Sequence, residues 1–245
     1  MIGLLIGLNV TFAAGSDAFR EACEQTAQSP DIRRQVEAIK ELLNANTCDS
    51  ASQRLERATE LDLNNRGLTT VSTLAGVTNL TSLNLSGNQL TDIDGLTNMV
   101  NLESLNLSGN QVHDLTSIGN MRQLKVLDLS GNGLVDLSPL SEISNLEEAH
   151  LNDNAIADLG ALSGHTNLSV LKANNNRIDS LAPIKELKAL KIVAVRNNQI
   201  HGVRVLAQHN KLETLAIKGN PIDGDKCPTG RNDAVDVVRQ ACKDL

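Results

Sequence analysis

Residues 80–101, LTSLNLSGNQLTDIDGLTNMVN, decide the fold, because their apolar positions return every 22 residues from about Ala58 to Ile222. Within the stretch, Leu80, Leu83, Leu85, Asn88, Leu90, Ile93, Leu96 and Met99 spell L-x-x-L-x-L-x-x-N-x-L followed by a short apolar return. Self-similarity at a fixed period of this length is the mark of a solenoid built from stacked coils.

Each coil must bury its apolar face against the next. The step from Leu83 to Leu85 has the two-residue period of a strand, so both leucines point inward and Ser82, Asn84 and Ser86 point outward. Stacking sets these strands side by side in a parallel sheet with a spacing of about 4.8 Å. The pattern is that of a leucine-rich repeat, so the expected fold is an α/β solenoid: an arc with a parallel concave sheet and 3₁₀ or extended convex returns, capped by helices at the N terminus and by a short C-terminal element. An asparagine returns at Asn88, Asn110, Asn132, Asn154, Asn176, Asn198 and Asn220. An amide carries donors and an acceptor together, so this inward column is expected to satisfy backbone groups left open where the chain leaves each strand.

The repeat starts are Ala58, Leu80, Leu102, Leu124, Leu146, Leu168, Leu190 and Leu212, eight units without an insertion over residues 58–222. The first is degenerate, with Arg66 at the asparagine position. Residues 16–57 leave this register and read as a helical N-terminal cap: Ser29, Pro30 and Asp31 form a start signal, and Ile32, Val36, Ile39, Leu42 and Leu43 follow at helical spacing. Residues 223–245 close the chain, with Ala234, Val235, Val237, Val238 and Ala241 suggesting one short helix. Ahead of all this, residues 1–15, MIGLLIGLNVTFAAG, carry an apolar run and then small residues, as in a secretory signal peptide cleaved near Ala14 or Gly15. The basic n-region is missing, which leaves open a start a few codons upstream, an uncleaved strand or a disordered leader. The run is too short to span a bilayer.

Composition narrows the function. The 245 residues carry a formal charge of -7, and the only aromatics, Phe12 and Phe19, precede the repeats. With no basic run and no stacking residue in the coils, nucleic acid is not an expected partner. All four cysteines lie outside the coils, Cys23 and Cys48 on either side of the first strong helix and Cys227 and Cys242 near the end. Their even number and placement favour two disulfides, Cys23 to Cys48 and Cys227 to Cys242, in an exported chain; the alternative is four reduced, buried thiols in a cytosolic one.

The 22-residue unit, the returns Thr91 to Leu96 (TDIDGL) and Val135 to Leu140 (VDLSPL), and the exit Gly219 to Ile222 (GNPI) resemble the internalin-type leucine-rich repeats of bacterial surface and secreted proteins. That resemblance covers about residues 58–222 and implies a secreted, periplasmic or cell-surface protein that binds another protein through its concave sheet. It does not name the partner. The sequence departs from the family in showing no wall-sorting motif, no immunoglobulin-like module, no lipidated cysteine and no aromatic row on the strands. The coils are also similar to those of intracellular phosphatase-regulating subunits, a comparison that the leader and the paired cysteines weigh against.

Outward strand positions form columns that step one coil at a time. One runs Glu60, Ser82, Ser104, Val126, Glu148, Val170, Ile192, Thr214; the next Asp62, Asn84, Asn106, Asp128, His150, Lys172, Ala194, Ala216; the third Asn64, Ser86, Ser108, Ser130, Asn152, Asn174, Arg196, Lys218. The first four coils are small, neutral or acidic, and the last four carry the cations around aliphatic residues. Val126, Asp128, His150, Val170, Lys172, Ile192, Arg196 and Lys218 are therefore the candidate partner-binding residues, since an apolar patch ringed by cations suits a partly acidic protein. A spacer with no dedicated ligand is the competing reading.

Other constellations are structural. Asp92, Asp114, Asp136 and Asp158 form a column on the returns and are expected to accept turn amides rather than bind calcium. His165 and His209 share one repeat position with Leu187 between them, too far apart to share a metal, whereas His113 and His201 read as exposed return residues. No G-x-S-x-G, H-E-x-x-H or phosphate loop occurs, so no enzyme, cofactor or metal is expected, and the protein is expected to be a monomer.

Overall fold

The computed structural model describes residues 17–25, 29–223, 227 and 233–243, with the side chains of 233–235 and 243 left aside. The leader reading of residues 1–15 lies outside the described residues. Eight three-residue strands form one parallel sheet in strict sequence order: β1 (Glu60–Asp62), β2 (Ser82–Asn84), β3 (Ser104–Asn106), β4 (Val126–Asp128), β5 (Glu148–His150), β6 (Val170–Lys172), β7 (Ile192–Ala194) and β8 (Thr214–Ala216). Register advances 22 residues per strand, pairing Leu61 with Leu83, Leu83 with Leu105 and Leu105 with Leu127. The fold is the expected leucine-rich repeat arc. Its returns are 3₁₀ turns, from Ser72–Leu74 and Asp94–Leu96 through to Arg204–Gln208.

The core is one continuous aliphatic column. Leu83, Leu85, Leu90, Leu96 and Met99 of the second coil are all fully buried, as are their equivalents in the third. Side chains shrink toward the C terminus, where Ala149, Ala173, Val193 and Val195 replace strand leucines.

The N-terminal region divides into three helices: α1 (Asp17–Glu24), α2 (Pro30–Leu42) and α3 (Cys48–Leu55). Ser29 Oγ accepts the Ile32 amide to start α2. A second start arises at Thr47, whose hydroxyl accepts the Ser50 amide at 3.1 Å while the Thr47 amide donates to Ser50 Oγ, a reciprocal capping box. The cap is tied down by the Cys23–Cys48 disulfide and by the Arg20–Asp49 ion pair between α1 and α3. Arg66, which breaks the asparagine column, reaches back 2.7 Å to Glu41 on α2, while Arg34 donates to the Gly67 carbonyl. The substitution in the first coil thus fastens the array to its cap. At the other end α4 (Asp233–Lys243) packs on β8 and the last 3₁₀ turn, and Cys227 bonds Cys242.

Candidate functional site

The turn off each strand positions the outer face. Asn110 is typical: its Nδ2 donates to the Leu85 and Leu107 carbonyls of two successive coils, and its Oδ1 accepts the Leu90 amide at 3.0 Å. Asn88, Asn132, Asn154, Asn198 and Asn220 repeat that arrangement, each donating to a carbonyl of its own coil and one of the coil before. Asn176 likewise bridges Leu151 and Asn174. Backbone groups at the strand exits are therefore paired inside the solenoid, and the outward side chains are left to solvent.

The residue before each of these asparagines, and Asn65 before Arg66, adopts positive φ: Asn65, Gly87, Gly109, Gly131, Asp153, Asn175, Asn197 and Gly219 lie between 51° and 82°. Only glycine, or an Asn or Asp with local hydrogen bonding, occupies this left-handed region at low cost. Where the column carries side chains they form their own ladder: Asn175 Nδ2 donates to Asp153 Oδ1 at 2.6 Å and Asn197 Nδ2 to Asn175 Oδ1 at 2.7 Å. Sequence reasoning misses this column because three residue types share it; the period of 22 is the signal that marks it.

Register places the candidate residues as follows. Val170 and Ile192 are direct partners on β6 and β7, both half-buried, with Lys172 beside Ala194 in the adjoining column. Arg196 and Lys218 lie just beyond β7 and β8 and are exposed. Val126 is cut off from this patch because Glu148 stands between it and Val170. Asp128 and His150 belong to a different cluster. His150 Nδ1 lies 3.6 Å from Asp128 Oδ2, and its Nε2 lies 3.6 Å from Glu148 Oε2. Burial pushes the Asp128 carboxyl up, but His150 and the amide of Ser130 outweigh it and hold the group below the usual carboxylate range. The face therefore divides at β5 into an internally paired acidic side and a cationic, aliphatic side. Among the described residues Lys172, Arg196 and Lys218 make no ion pair.

On the opposite surface the Asp column caps turns: Asp92, Asp114, Asp136 and Asp158 each accept the amide two residues on, at 2.7–2.8 Å. The Thr116 hydroxyl and amide hold Asp114 below the usual range. His165 and His209 are buried, each with one ring nitrogen near a carbonyl, Leu162 O and Ile184 O respectively. Among the described residues no group of three or more His, Cys, Asp or Glu side chains is arranged to hold a metal ion.

The family of leucine-rich repeats (two copies) matches residues 59–98, 100–142 and 144–186. Among solved structures, internalin C2 of Listeria monocytogenes is 30% identical, with a TM-score of 0.70 over 76% of this chain and 84% of that one. A leucine-rich repeat protein of Leptospira interrogans is 27% identical with a TM-score of 0.66, covering 72% of this chain and 47% of that one. The leucine-rich repeat ectodomain of the plant membrane receptor kinase GASSHO1/SCHENGEN3 from Arabidopsis thaliana, solved with CASPARIAN STRIP INTEGRITY FACTOR 2, is 27% identical with a TM-score of 0.58, over 65% of this chain and 21% of that one. This chain thus spans about half of the Leptospira protein and about a fifth of the plant ectodomain. No curated protein matches it. The chain belongs to the leucine-rich repeat proteins, and within them to the internalin type found in bacteria. Such domains are protein-interaction scaffolds. Among the described residues no helix is long and apolar enough to cross a membrane.

Proposed function

We propose that this protein is an exported, non-catalytic bacterial scaffold that binds another protein through the C-terminal half of its concave sheet. The observation that carries the reading is the pairing of Val170 with Ile192, two aliphatic side chains set outward on adjacent strands with Lys172 alongside. The equivalent positions on β2 and β3 are Ser82 and Ser104, where a plain solvated face would leave small polar residues throughout. The coils hold these side chains rigidly, so little ordering cost opposes association. Export is supported by the two disulfides, which persist in oxidising compartments, and by the kinship with internalin C2.

The test is affinity capture with the oxidised protein, followed by the V170E/I192E variant and a S82E/S104E control. One stoichiometric partner, retained by the control and lost by V170E/I192E, is the expected result; equal capture by all three ends the assignment to this half. The mass of the chain recovered from an exporting host tests the other half of the reading: loss of about the first 14 residues is expected, and recovery of full-length chain with four alkylatable thiols contradicts it.

A further inference from the structure

We infer that the last two coils carry a carboxylate-binding pocket, formed by Arg196 and Lys218, that takes an acidic side chain of the partner protein. The inference deepens the partner-binding reading of the sheet and rests on it.

The third outward column shows why these two cations stand apart. Its first six members are small and polar, and they bond back into the sheet. Asn64 Nδ2 donates to Asp62 Oδ1, Ser86 Oγ to Asn84 Oδ1 and Ser108 Oγ to Asn106 Oδ1, at 2.7–2.8 Å. Asn174 Nδ2 donates to Asn152 Oδ1 at 2.8 Å. At the next two steps the same position holds Arg196 and Lys218, whose charged ends make no hydrogen bond or ion pair among the described residues. These side chains border an open depression of about 640 Å³, completed by Asn197, Gly219 and Asn220.

Two like charges on adjacent coils, about 4.8 Å apart in backbone spacing, repel each other and are relieved by an anion between them. Their backbones are already fixed. The Arg196 amide donates to Asn174 Oδ1 at 2.8 Å, and the Asn197 amide donates to the Lys218 carbonyl at 2.9 Å. A guanidinium fork beside an ammonium matches a carboxylate in both geometry and charge. At Gly219, where φ is +82°, the site of a missing Cβ lies 2.2 Å from Asn197 Oδ1, so the floor is close-packed and a side chain there would crowd the Asn197 amide. The apolar pair Val170 and Ile192 lies on the two coils before Lys218, so one acidic, partly apolar segment could lie across both features.

The experiment is an NMR titration of the full oxidised protein with N-acetyl-tetraglutamate, with tetraglutamine and inorganic phosphate as comparison probes. Tetraglutamate is expected to shift the Asn197 and Gly219 amides saturably, and the R196Q/K218Q variant to bind it at least about tenfold more weakly. Raising NaCl from about 0.05 to 0.5 M is expected to weaken the wild-type interaction by a similar factor. S82E/S104E, on the far strands β2 and β3, is expected to retain tetraglutamate binding. Equal binding by wild type and R196Q/K218Q, an equal response to tetraglutamine, or phosphate binding as tight as tetraglutamate overturns the pocket. So does concentration-dependent self-association that R196Q/K218Q abolishes, which would assign the pocket to a second copy. Capture of the partner, and its loss in V170E/I192E, is read separately, so either conclusion can fail without the other.

Discussion

The side-chain oxygen of Asn154 accepts the backbone amide of Asn132 at 3.1 Å as well as that of Leu134 at 2.9 Å, so members of the asparagine column are tied to one another across coils. Asn88 repeats the relationship with the Arg66 and Leu68 amides at 3.0 Å. Each carboxamide thus serves two coils at once: removing that of Asn154 unpairs amides of the coil before it, while the carbonyls it served keep a neighbouring asparagine as donor.

Asn132→Ala should therefore cost more than a lost surface bond. It strands the Val112 amide in the interior and takes one of two donors from each of the Leu107 and Leu129 carbonyls, which keep Asn110 and Asn154. With roughly 1–3 kcal/mol for one buried amide left unpaired, a loss of about 1–3 kcal/mol is expected. Urea unfolding of the oxidised protein measures it, and a loss below about 1 kcal/mol contradicts the bridging role.

The left-handed column makes a second, opposite kind of prediction. At Gly109 an added Cβ would sit 3.6 Å from Gly87 atoms, an ordinary contact, so Gly109→Ala should cost only the backbone strain of about 1–2 kcal/mol. Gly109→Asn should cost less. At Gly87 the added Cβ meets Asn65 Oδ1 at 2.2 Å, so Gly87→Ala should cost more, and Asn65→Gly should recover the excess. A double-mutant cycle with no coupling between positions 65 and 87 would contradict the steric account.

Buried histidines set the response to mild acid. Burial pushes His165 and His209 below the ordinary imidazole value. Both states are neutral above about pH 6.5; below it the unfolded chain takes up protons that the folded chain resists, so stability falls as pH falls until the folded pKa is passed. The slope is at most about 1.4 kcal/mol per pH unit per histidine. The H165L/H209L variant should flatten the difference in stability between pH 7 and 5 relative to wild type, and parallel curves would show that neither group contributes.

Reduction should act locally. Each disulfide closes a short loop within one end of the chain, and each is worth about 3 kcal/mol by loop entropy. In a solenoid, contacts run only between neighbours, so hydrogen exchange in α1, α3 and α4 should rise in reductant while the amides of β3 to β6 keep their protection. Uniform loss across the array would contradict this independence.

Much of the fold is legible in the sequence because a solenoid repeats its signals. The leucine positions, the strand register and the return turns each recur with one period, so the pairing of Leu83 with Leu105 follows from the 22-residue spacing alone. The division of residues 16–57 into three helices is less visible: Ser29 and Pro30 mark one start plainly, whereas the Thr47 box uses Ser50 in place of the usual acidic partner. The functional face is legible as columns but not as contacts. Asp128 and His150 sit at equivalent positions, yet that Glu148 closes the cluster from His150's other side depends on side-chain rotamers, which periodicity does not encode.

Covalent closure at both ends, with the coils between them joined by non-covalent contacts that largely repeat, has a consequence for how such a chain can change. Excising residues 102–123 would join Asn101 to Leu124 in unbroken register, with asparagine, left-handed turn and strand meeting equivalent partners on the next coil. The distance from the acidic strands to the cations would shorten by about 4.8 Å, with both termini untouched. Reach is thus a quantity that whole-coil gain or loss can adjust in fixed increments, separately from the chemistry displayed at either end.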